Sequence, residues 1–436
     1  MNYIVIIAVC LLMFCRSLKY GIVVDDIANR RRLEYGNDYY YKHILRRIRF
    51  AFNGEFPVRS IPLDHCITLG LHTVVCVLIY HVFNNLPAAL LFAVNVGNNQ
   101  VSLWLNGKRY AVNAILCLLA FSVGSWGILF WLLTAMFQAS GVSFPVVMTL
   151  SGSWVALLAS PLLFVFGNGH LKAWMKSKAS QCKVDAFIKW DDRKIILFFK
   201  TLAFYFMRGV FPYVPTMYPE KFKRFGLIRE DTEDAYKVDA QAIAGVLIVL
   251  VAVVGYSINS TLFFGLMWWL ITISVFGNLI TLTVPLAERY MYLPNIGLML
   301  FLSSVLGLID SNAWILFFVI YATRLYTFMP MYRNIDEYLK HHCFYYPKND
   351  QAWIFRINKC TESGDVIGMM ALSNEGLIAN QDSSWLWLQR AIGFVSIGKK
   401  DMAAQCVVMA KKYARDEYGK FVEQKINDVN NMIGVK

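Results

Sequence analysis

Long apolar runs recur along most of the chain, and they limit the possible fold more than any other feature. The longest cover residues 3–18, 65–83, 195–211, 240–258, 262–284, 293–309 and 313–329. Hydrophobic residues make up 57% of the 436 residues and charged residues only 16%. Soluble domains rarely have such a composition, and runs of about 20 residues are long enough to cross a bilayer as helices. The sequence therefore predicts an all-α, polytopic membrane protein.

The apolar stretches predict about eleven transmembrane helices in a bundle over residues 1–329. The first stretch, 3–18, lacks a basic flank and a small-residue cleavage site, so we expect a membrane helix and not a cleaved signal. With the amino terminus inside, loop 19–63 lies outside, and the basic loop 168–200 lies inside, as the positive-inside rule favours. Loop 19–63 is also basic, which argues against this orientation unless the loop binds lipid phosphates.

The net charge of +13 indicates anionic lipid or phosphate partners before nucleic acid, because most of the chain is membrane-like. The nine cysteines show no CxxC spacing and hence no zinc or redox signature. Cys343 and Cys360 lie in the polar tail, and they are a candidate disulfide pair if the tail lies in an oxidising compartment.

The polar segment between the first two apolar runs carries the sharpest candidate chemistry. Asp25 and Asp26 follow Ile-Val-Val, so their carboxylates emerge at the membrane surface, where one of them can act as a general base. The alternative is a helix cap that pairs with the arginines at 30–32. Residues 41–52 predict an amphipathic helix that lies in the interface, and Arg59 follows it.

A second candidate is the turn that joins the runs 262–284 and 293–309. It contains Glu288 and Arg289, and a charged pair at a membrane boundary is costly unless it meets a partner or a ligand. Tyr290 and Tyr292 suit the headgroup level. The turn therefore predicts either part of an active site at the water interface or a salt-bridged loop with an aromatic belt.

Other polar residues interrupt the apolar runs or flank them. His65 and His72 share one face of a predicted helix, but they are seven residues apart, whereas metal-binding pairs on a helix are usually three or four apart. No metal site is therefore predicted. The remaining polar candidates are Asn95, Gln100, Lys108, Arg109 and Arg208.

The tail, residues 330–436, is polar and forms a separate predicted domain. Trp353 and Trp387 are about 34 residues apart, as are Gly364 and Gly398, and 34 is the period of the tetratricopeptide helix–turn–helix repeat. An unrelated set of helical hairpins is the alternative. Two repeats are too few for an independent solenoid, so we expect the tail to pack on the membrane domain or on a partner.

Several of these motifs together resemble one family. The turn at 287–297 resembles the ERYLYLPS-type turn of the transmembrane and tetratricopeptide-containing O-mannosyltransferases and their small bacterial relatives, such as those that glycosylate type IV pilins. Asp25 and Asp26 match the paired acids of the family's first outer loop. The segment 58–61, with Arg59, lies where the family has Tyr-Arg-Pro-Leu.

Two further segments carry the resemblance in the same order along the chain. His65 and His72 match a paired-histidine second helix. The segment 93–109 resembles one that begins His-Pro and ends Trp-Val-Ser-Gly-Arg in the family, although Asn95 replaces that histidine and Gln100 replaces a usual acid.

The resemblance implies a glycosyltransferase of the GT-C type in a bacterial inner membrane, with its active site facing the periplasm. It would move a sugar from a polyprenyl-phosphate donor to a protein serine or threonine with inversion, using Asp25 or Asp26 as the base. The protein acceptor is expected to dock on the carboxy-terminal repeats. No cofactor is assigned, and a divalent cation stays an open alternative. The expected donor-phosphate residues are Arg59, Lys108, Arg109, Arg208, Glu288, Arg289, Tyr290 and Tyr292, and the expected acceptor or structural residues are His65, His72, Asn95 and Gln100.

Two other functions remain open on the sequence. A transporter or flippase of lipid-linked sugars needs polar groups at the bilayer midplane on broken helices, whereas the informative charges here lie at the ends of the runs. A non-catalytic membrane scaffold would recruit a partner through the tail, and it would tolerate changes at Asp25, Asp26 and Glu288.

Overall fold

The computed structural model describes most of the chain. The described residues are 1–23, 60–127, 130, 147–149, 194–211, 213–215, 237–278, 286–414 and 419–434. Several predictions therefore lie outside the described residues, namely those for Asp25, Asp26, Arg59, the interfacial helix at 41–52 and the basic loop as far as residue 193.

All regular structure in the described residues is helical, which confirms the all-α class. The chain divides into two compact units, and the first comprises Met1–Met217 and Glu233–Asn334. The main described helices of this unit are α1 (Asn2–Phe14), α2 (Ile61–Phe83), α3 (Leu86–Val94), α4 (Lys108–Ser122), α5 (Lys194–Val210), α6 (Ala240–Ile258), α7 (Ser260–Ser274), α8 (Tyr292–Ile309) and α9 (Ala313–Phe328).

Four helical stretches in the described residues are long and apolar enough to cross a membrane. They are Asn2–Lys19, Ile61–Phe83, Glu288–Ile309 and Ala313–Arg333. The count of about eleven spans is not confirmed. Three further apolar helical stretches, Ala240–Gly255, Ser260–Ser274 and Val366–Ala379, are shorter than 18 residues. Much of the chain between α4 and α5 lies outside the described residues.

The outward faces of several helices are apolar. Ile4 and Leu12 of α1 are 71% and 76% exposed, and Val253 of α6 and Leu316 of α9 are also mostly exposed. Large exposed apolar faces are unfavourable in water, whereas a lipid environment accommodates them. The exposed faces therefore agree with a membrane protein, and α8 is the most buried of the four candidate spans.

Short polar side chains fix where several apolar helices begin. Asn85 caps α3 by accepting a hydrogen bond from the amide of Ala88. Asp239 caps α6 and Asn259 caps α7, each by accepting bonds from two amides of the first turn. Each cap satisfies backbone donors that the helix itself leaves open. Helix starts can therefore be read from the sequence even inside long apolar stretches.

Two glycines allow α7 and α8 to approach closely. A Cβ atom at Gly297 would lie 2.4 Å from the carbonyl oxygen of Gly265 and 2.7 Å from Trp268. A Cβ atom at Gly265 would lie 2.7 Å from the carbonyl oxygen of Gly297. Small residues at such a crossing let backbones meet and gain van der Waals contact, which is the main attraction between helices in lipid. The crossing fixes the position of the first turns of α8, which directly follow the charged turn Glu288–Met291.

The second unit holds the carboxy-terminal residues Ile335–Lys436. Its described helices are α10 (Ile335–Tyr345), α11 (Asp350–Ser363), α12 (Val366–Ala379), α13 (Ser384–Ser396), α14 (Lys400–Tyr413) and α15 (Gly419–Ile433). Helices α11 and α12 form one hairpin, and α13 and α14 form the next. Cys343 and Cys360 are free thiols, so the candidate disulfide is not present.

The two hairpins repeat each other in their tryptophan contacts. The indole N–H of Trp353 donates to the carbonyl of Pro347 at 2.9 Å, and that of Trp387 donates to the carbonyl of Gln381 at 2.8 Å. In both hairpins the acceptor lies six residues before the tryptophan. Each tryptophan therefore ties the first turn of its helix to the preceding loop in the same way.

The glycines between the helices of each hairpin repeat as well. Gly364 and Gly398 have φ angles of 74° and 75°, a left-handed conformation that glycine adopts without strain. In both hairpins the amide after the glycine donates to the carbonyl five residues earlier at 2.9 Å. This is the Schellman arrangement that ends a helix. The hairpins thus share their turn chemistry as well as their spacing.

A buried histidine in α10 should make this unit sensitive to acid. His342 is 2% exposed, its Nδ1–H donates to the carbonyl of Tyr338 at 2.8 Å, and burial lowers its pKa to about 4. The unfolded chain takes up this proton near pH 6.5. The contribution of His342 to the free energy of unfolding is therefore complete above pH 6.5 and is lost as the pH falls toward 4. The loss is roughly 2 kcal/mol at pH 5.

Thermal unfolding of the full chain in detergent at pH 7.5 and pH 5 checks this expectation. The transition of the second unit should move to lower temperature at pH 5, and His342→Phe should reduce the difference between the two pH values. His341 also has a pKa lowered to about 4 by burial, so some pH dependence should persist in that variant. An unchanged difference in His342→Phe would exclude His342 as its source.

Candidate functional site

The charged turn before α8 is buried within the first unit. Residues Glu288–Met291 form a single 3₁₀ turn, in which Glu288 is 3% and Arg289 8% exposed. The sequence predicts a turn at the water interface, and the structure shows that both charged side chains of the turn are buried. Buried charges are costly unless they are paired or bind a ligand. The partners of these two side chains thus decide what the turn does.

Arg208, at the end of α5, is the partner of Glu288. Its Nη1 donates to Oε1 of Glu288 at 3.0 Å and to the carbonyl of Val214 at 2.6 Å. The guanidinium also lies over the rings of Phe204 and Tyr213, at 5.4 and 5.5 Å. Both charged side chains are almost fully buried, so the pair is held in a low-dielectric environment.

Lys108, at the start of α4, forms a second buried ion pair. Its partner is Asp64, in the first turn of α2, which the sequence analysis did not select. The neighbouring His65 donates from Nε2 to the carbonyl of Gly21 at 3.2 Å. This contact joins the chain after α1 to the beginning of α2. An acidic residue in the first turn of a helix is explained by its interaction with the helix dipole alone, so the sequence gives no reason to expect the ion pair of Asp64 with Lys108.

His72 is held by two hydrogen bonds. Its Nε2–H donates to the carbonyl of Ala93 at 3.1 Å, and its Nδ1 accepts from the hydroxyl of Tyr292 at 2.7 Å. These bonds define a neutral tautomer, because the carbonyl accepts and the phenol donates. His72 therefore joins α2, α3 and α8. His65 and His72 do not share a partner among these contacts, although they share a helix face.

Asn95 begins a buried segment of short helical turns between α3 and α4, which we call the connecting segment. Its Nδ2 donates to the carbonyl of Gly209 at 2.8 Å, and its Oδ1 accepts from the amide of Gly97 at 2.8 Å. The amide of Arg289 donates to Oε1 of Gln100 at 3.2 Å. Side chains of this segment thus hold the end of α5 and the charged turn in place.

A further amide contact links this segment to α8. Asn98 donates from Nδ2 to the carbonyl of Phe92 at 2.9 Å, and its Oδ1 accepts from Nδ2 of Asn295 at 2.9 Å. Neither Asn98 nor Asn295 was a candidate from the sequence. The run Gly-Asn-Asn-Gln is unusual between apolar helices, and this polar run could have indicated that Asn98 lies at the site.

Several buried polar atoms of this segment and of the adjoining α8 have no hydrogen-bond partner in the part of the chain that the structure describes. They are Nδ2 and Oδ1 of Asn99, Nε1 of Trp104 and Oδ1 of Asn295. Asn99 and Asn295 are fully buried and Trp104 is 5% exposed. Each buried polar atom without a partner costs about 1–3 kcal/mol. Their concentration here needs a physical reason.

The remaining candidates lie around Tyr290. Its ring stacks on Phe276 with centroids 4.2 Å apart. The guanidinium of Arg289 lies 5.3 Å from the Tyr290 ring, and that of Arg109 lies 5.2 Å from the ring of Tyr110. Arg109 is also close enough to Tyr290 to interact with it electrostatically. The charged turn and the start of α4 thus belong to one cluster.

We call the charged turn, Arg208, the Asp64–Lys108 pair, Arg109 and the polar side chains of the connecting segment together the buried polar cluster. Its charged members among the described residues are Asp64, Lys108, Arg109, Arg208, Glu288 and Arg289. These four cations and two carboxylates leave an excess of two positive charges. Asp64, Lys108, Glu288 and Arg289 are the buried members and balance one another in charge, so the excess comes from Arg208 and Arg109, which are less buried. A surplus of positive charge with hydrogen-bond donors favours an anionic ligand, with phosphate among the best matched.

In the part of the chain that the structure describes, no group of three or more histidine, cysteine, aspartate or glutamate side chains has the arrangement of a metal site. Comparison with known proteins returned no matching family model, no matching curated protein and no matching solved structure.

Proposed function

We propose that this protein is a membrane glycosyltransferase that moves a sugar from a polyprenyl-phosphate donor to a protein hydroxyl. The observation that carries the proposal is the positive excess of the buried polar cluster, which includes the Glu288–Arg289 turn of the family resemblance. The proposed fold is a GT-C type bundle with further spans in addition to the four candidates described. The proposed location is a bacterial inner membrane with the site facing the periplasm.

The cations of the cluster suit the leaving group of this reaction. Breaking the bond between sugar and phosphate leaves negative charge on the polyprenyl phosphate, and preorganised cations in a low-dielectric site stabilise that charge strongly. Arg208 is oriented by Glu288 and two aromatic rings, and Arg289 directly follows Glu288 in the chain. In our proposal these two arginines bind the donor phosphate, while Lys108 and Arg109 add to the positive field.

The proposed general base is Asp25, with Asp26 next to it. Support comes from the chain that leads toward them. His65 binds the carbonyl of Gly21, four residues before Asp25, and His65 adjoins the Asp64–Lys108 pair. A single base without a covalent nucleophile displaces the phosphate directly and inverts the anomeric carbon. In balance, the acceptor oxygen bonds to the sugar, the base takes its proton, and polyprenyl phosphate leaves.

The second unit is proposed to dock the protein acceptor as a pair of tetratricopeptide-like repeats. The supporting observation is that both hairpins repeat the same tryptophan and glycine contacts 34 residues apart, which is the period of that repeat. Helical repeats of this kind offer an extended surface for a peptide. A type IV pilin is the acceptor that the resemblance suggests.

An in-membrane transfer assay tests the proposal. Wild type, Asp25→Asn and Asp26→Asn are supplied with candidate polyprenyl-phosphate sugars, and modified acceptor is detected by mass spectrometry. We expect transfer by wild type and a loss of at least about a hundredfold in Asp25→Asn at equal amounts of folded protein. Full activity in both variants would exclude these carboxylates as the base, and no transfer with any donor would contradict the proposed reaction.

A transporter of lipid-linked sugars is the second candidate. It is favoured by one observation, the connecting segment between α3 and α4, in which short, interrupted helical turns carry several buried polar side chains. Broken helices of this kind bind substrates in many transporters. Movement of a lipid-linked sugar across a proteoliposome membrane without covalent transfer would support this candidate over the transferase.

A further inference from the structure

Four of the buried polar atoms without partners in the described residues belong to the connecting segment or to the helix that it contacts, beside the proposed phosphate site; others lie elsewhere, for example on Tyr20 and Trp269. The four belong to Asn99 and Trp104 of the connecting segment and to Asn295, which bonds to that segment through Asn98. All three side chains are more than nine-tenths buried. The rest of the segment is well bonded, because Asn95, Asn98 and Gln100 each have a defined partner.

These atoms define the chemistry that would satisfy them. Asn99 Nδ2 and Trp104 Nε1 are donors, whereas Asn99 Oδ1 and Asn295 Oδ1 are acceptors. A phosphate only accepts hydrogen bonds, and a polyprenyl chain does neither. Hydroxyl groups both donate and accept, so a polyhydroxylated ring matches this mixed set.

The position of Trp104 links this set to the phosphate site. The guanidinium of Arg289 lies 5.5 Å from the centre of the Trp104 ring, and the amide of Arg289 bonds to Gln100 in the same segment. In a polyprenyl-phosphate sugar the ring is bonded directly to the phosphate oxygen. The contact between Arg289 and Trp104 therefore places a cation that can bind the phosphate next to an indole that can bind the sugar, as the two groups are joined in the donor.

We infer that Asn99, Trp104 and Asn295 form the subsite that binds the hydroxyl groups of the donor sugar. This inference rests on the proposed function, because it takes the adjacent cations as the phosphate site. It assigns sugar selectivity to the connecting segment and to Asn295, and it leaves binding of the phosphate to Arg208 and Arg289.

The same atoms predict an unusual combination of effects. Trp104→Phe and Asn99→Leu remove buried polar atoms that lack partners in the unliganded protein, while they keep much of the side-chain volume. Such changes should not lower the unfolding temperature without donor, since no hydrogen bond is lost. They should lower kcat/KM for transfer by about tenfold, the effect of one or two lost hydrogen bonds to the sugar.

Trp269→Phe is the matched control. Trp269 is a fully buried indole in α7 whose Nε1 also has no partner in the described part of the chain. It lies against Phe206, away from the connecting segment in sequence and in the contacts described. The control should share the effect on the unfolding temperature and leave transfer unchanged.

The deciding measurement is the thermal shift that the sugar itself adds. Wild type and the variants are heated with polyprenyl-phosphate sugar and, separately, with polyprenyl phosphate that lacks the sugar. We expect a larger shift with the sugar in wild type and in Trp269→Phe, and we expect this difference to disappear in Trp104→Phe and Asn99→Leu. A difference that persists in both site variants, or that is absent from wild type, would overturn the inference.

Failure of the proposed function has a different signature. It appears as an absence of transfer by wild type in the assay described above, whatever the thermal shifts show. A subsite that binds the sugar without transfer would leave the inference intact and favour the transporter.

Discussion

Replacing Arg208 by methionine should destabilise the first unit by about 3–5 kcal/mol, because Glu288 would stay buried without the guanidinium that now contacts it. The yield of folded protein in detergent should fall accordingly. Transfer should also be lost, since Arg208 is a proposed phosphate ligand. Size-exclusion profiles and thermal unfolding measure the first effect, and the transfer assay measures the second.

The double variant Arg208→Met/Glu288→Gln separates these two effects. Removing both charges relieves the unpaired carboxylate, so much of the lost stability should return. Transfer should remain at least about a hundredfold below wild type, because a preorganised cation is missing from the leaving-group site. A double variant that is both stable and fully active would show that the pair only braces the fold.

Gly297→Leu should disrupt the crossing of α7 and α8. The new side chain has no space, since even a Cβ atom would lie 2.4 Å from the carbonyl of Gly265. Forcing the helices apart should cost at least about 3 kcal/mol, the upper part of the usual range for overpacking. The charged turn lies directly before α8, so transfer should fall together with the unfolding temperature.

Gly307→Leu is the control on the same helix. No atom lies within 4 Å of a Cβ atom built at Gly307, and this residue is exposed on α8. Leucine also favours helix over glycine by several tenths of a kcal/mol. The control should therefore keep or raise the unfolding temperature. Equal destabilisation of both variants would contradict the close approach at Gly297.

Helix positions could largely be predicted from hydropathy. The run 240–258 corresponds to Ala240–Ile258, and the run 293–309 lies within the helix Tyr292–Ile309. The reason is physical, because apolar length and local caps act within a few residues. The distance of 34 residues between equivalent helices of the tail was also predictable, since Trp353 and Trp387 lie in the first turns of α11 and α13.

Contacts between distant residues could not be predicted in the same way. The sequence placed Arg289 next to Glu288, but the carboxylate of Glu288 binds Arg208, 80 positions away. Asp64 was not selected at all, although it binds Lys108, 44 positions away. Adjacent residues in a turn point in different directions, so their pairing depends on how the helices pack. Hydropathy carries no information on that packing.

The most direct test of the account is binding of the anionic lipid itself. Wild type and Arg208→Met/Glu288→Gln are reconstituted in nanodiscs, and binding of polyprenyl phosphate is compared with binding of the neutral polyprenol. We predict that wild type binds the phosphate at least about tenfold more tightly than the alcohol, and that the double variant loses this preference. Equal binding of both lipids by wild type would contradict the claim that the buried polar cluster holds a lipid phosphate.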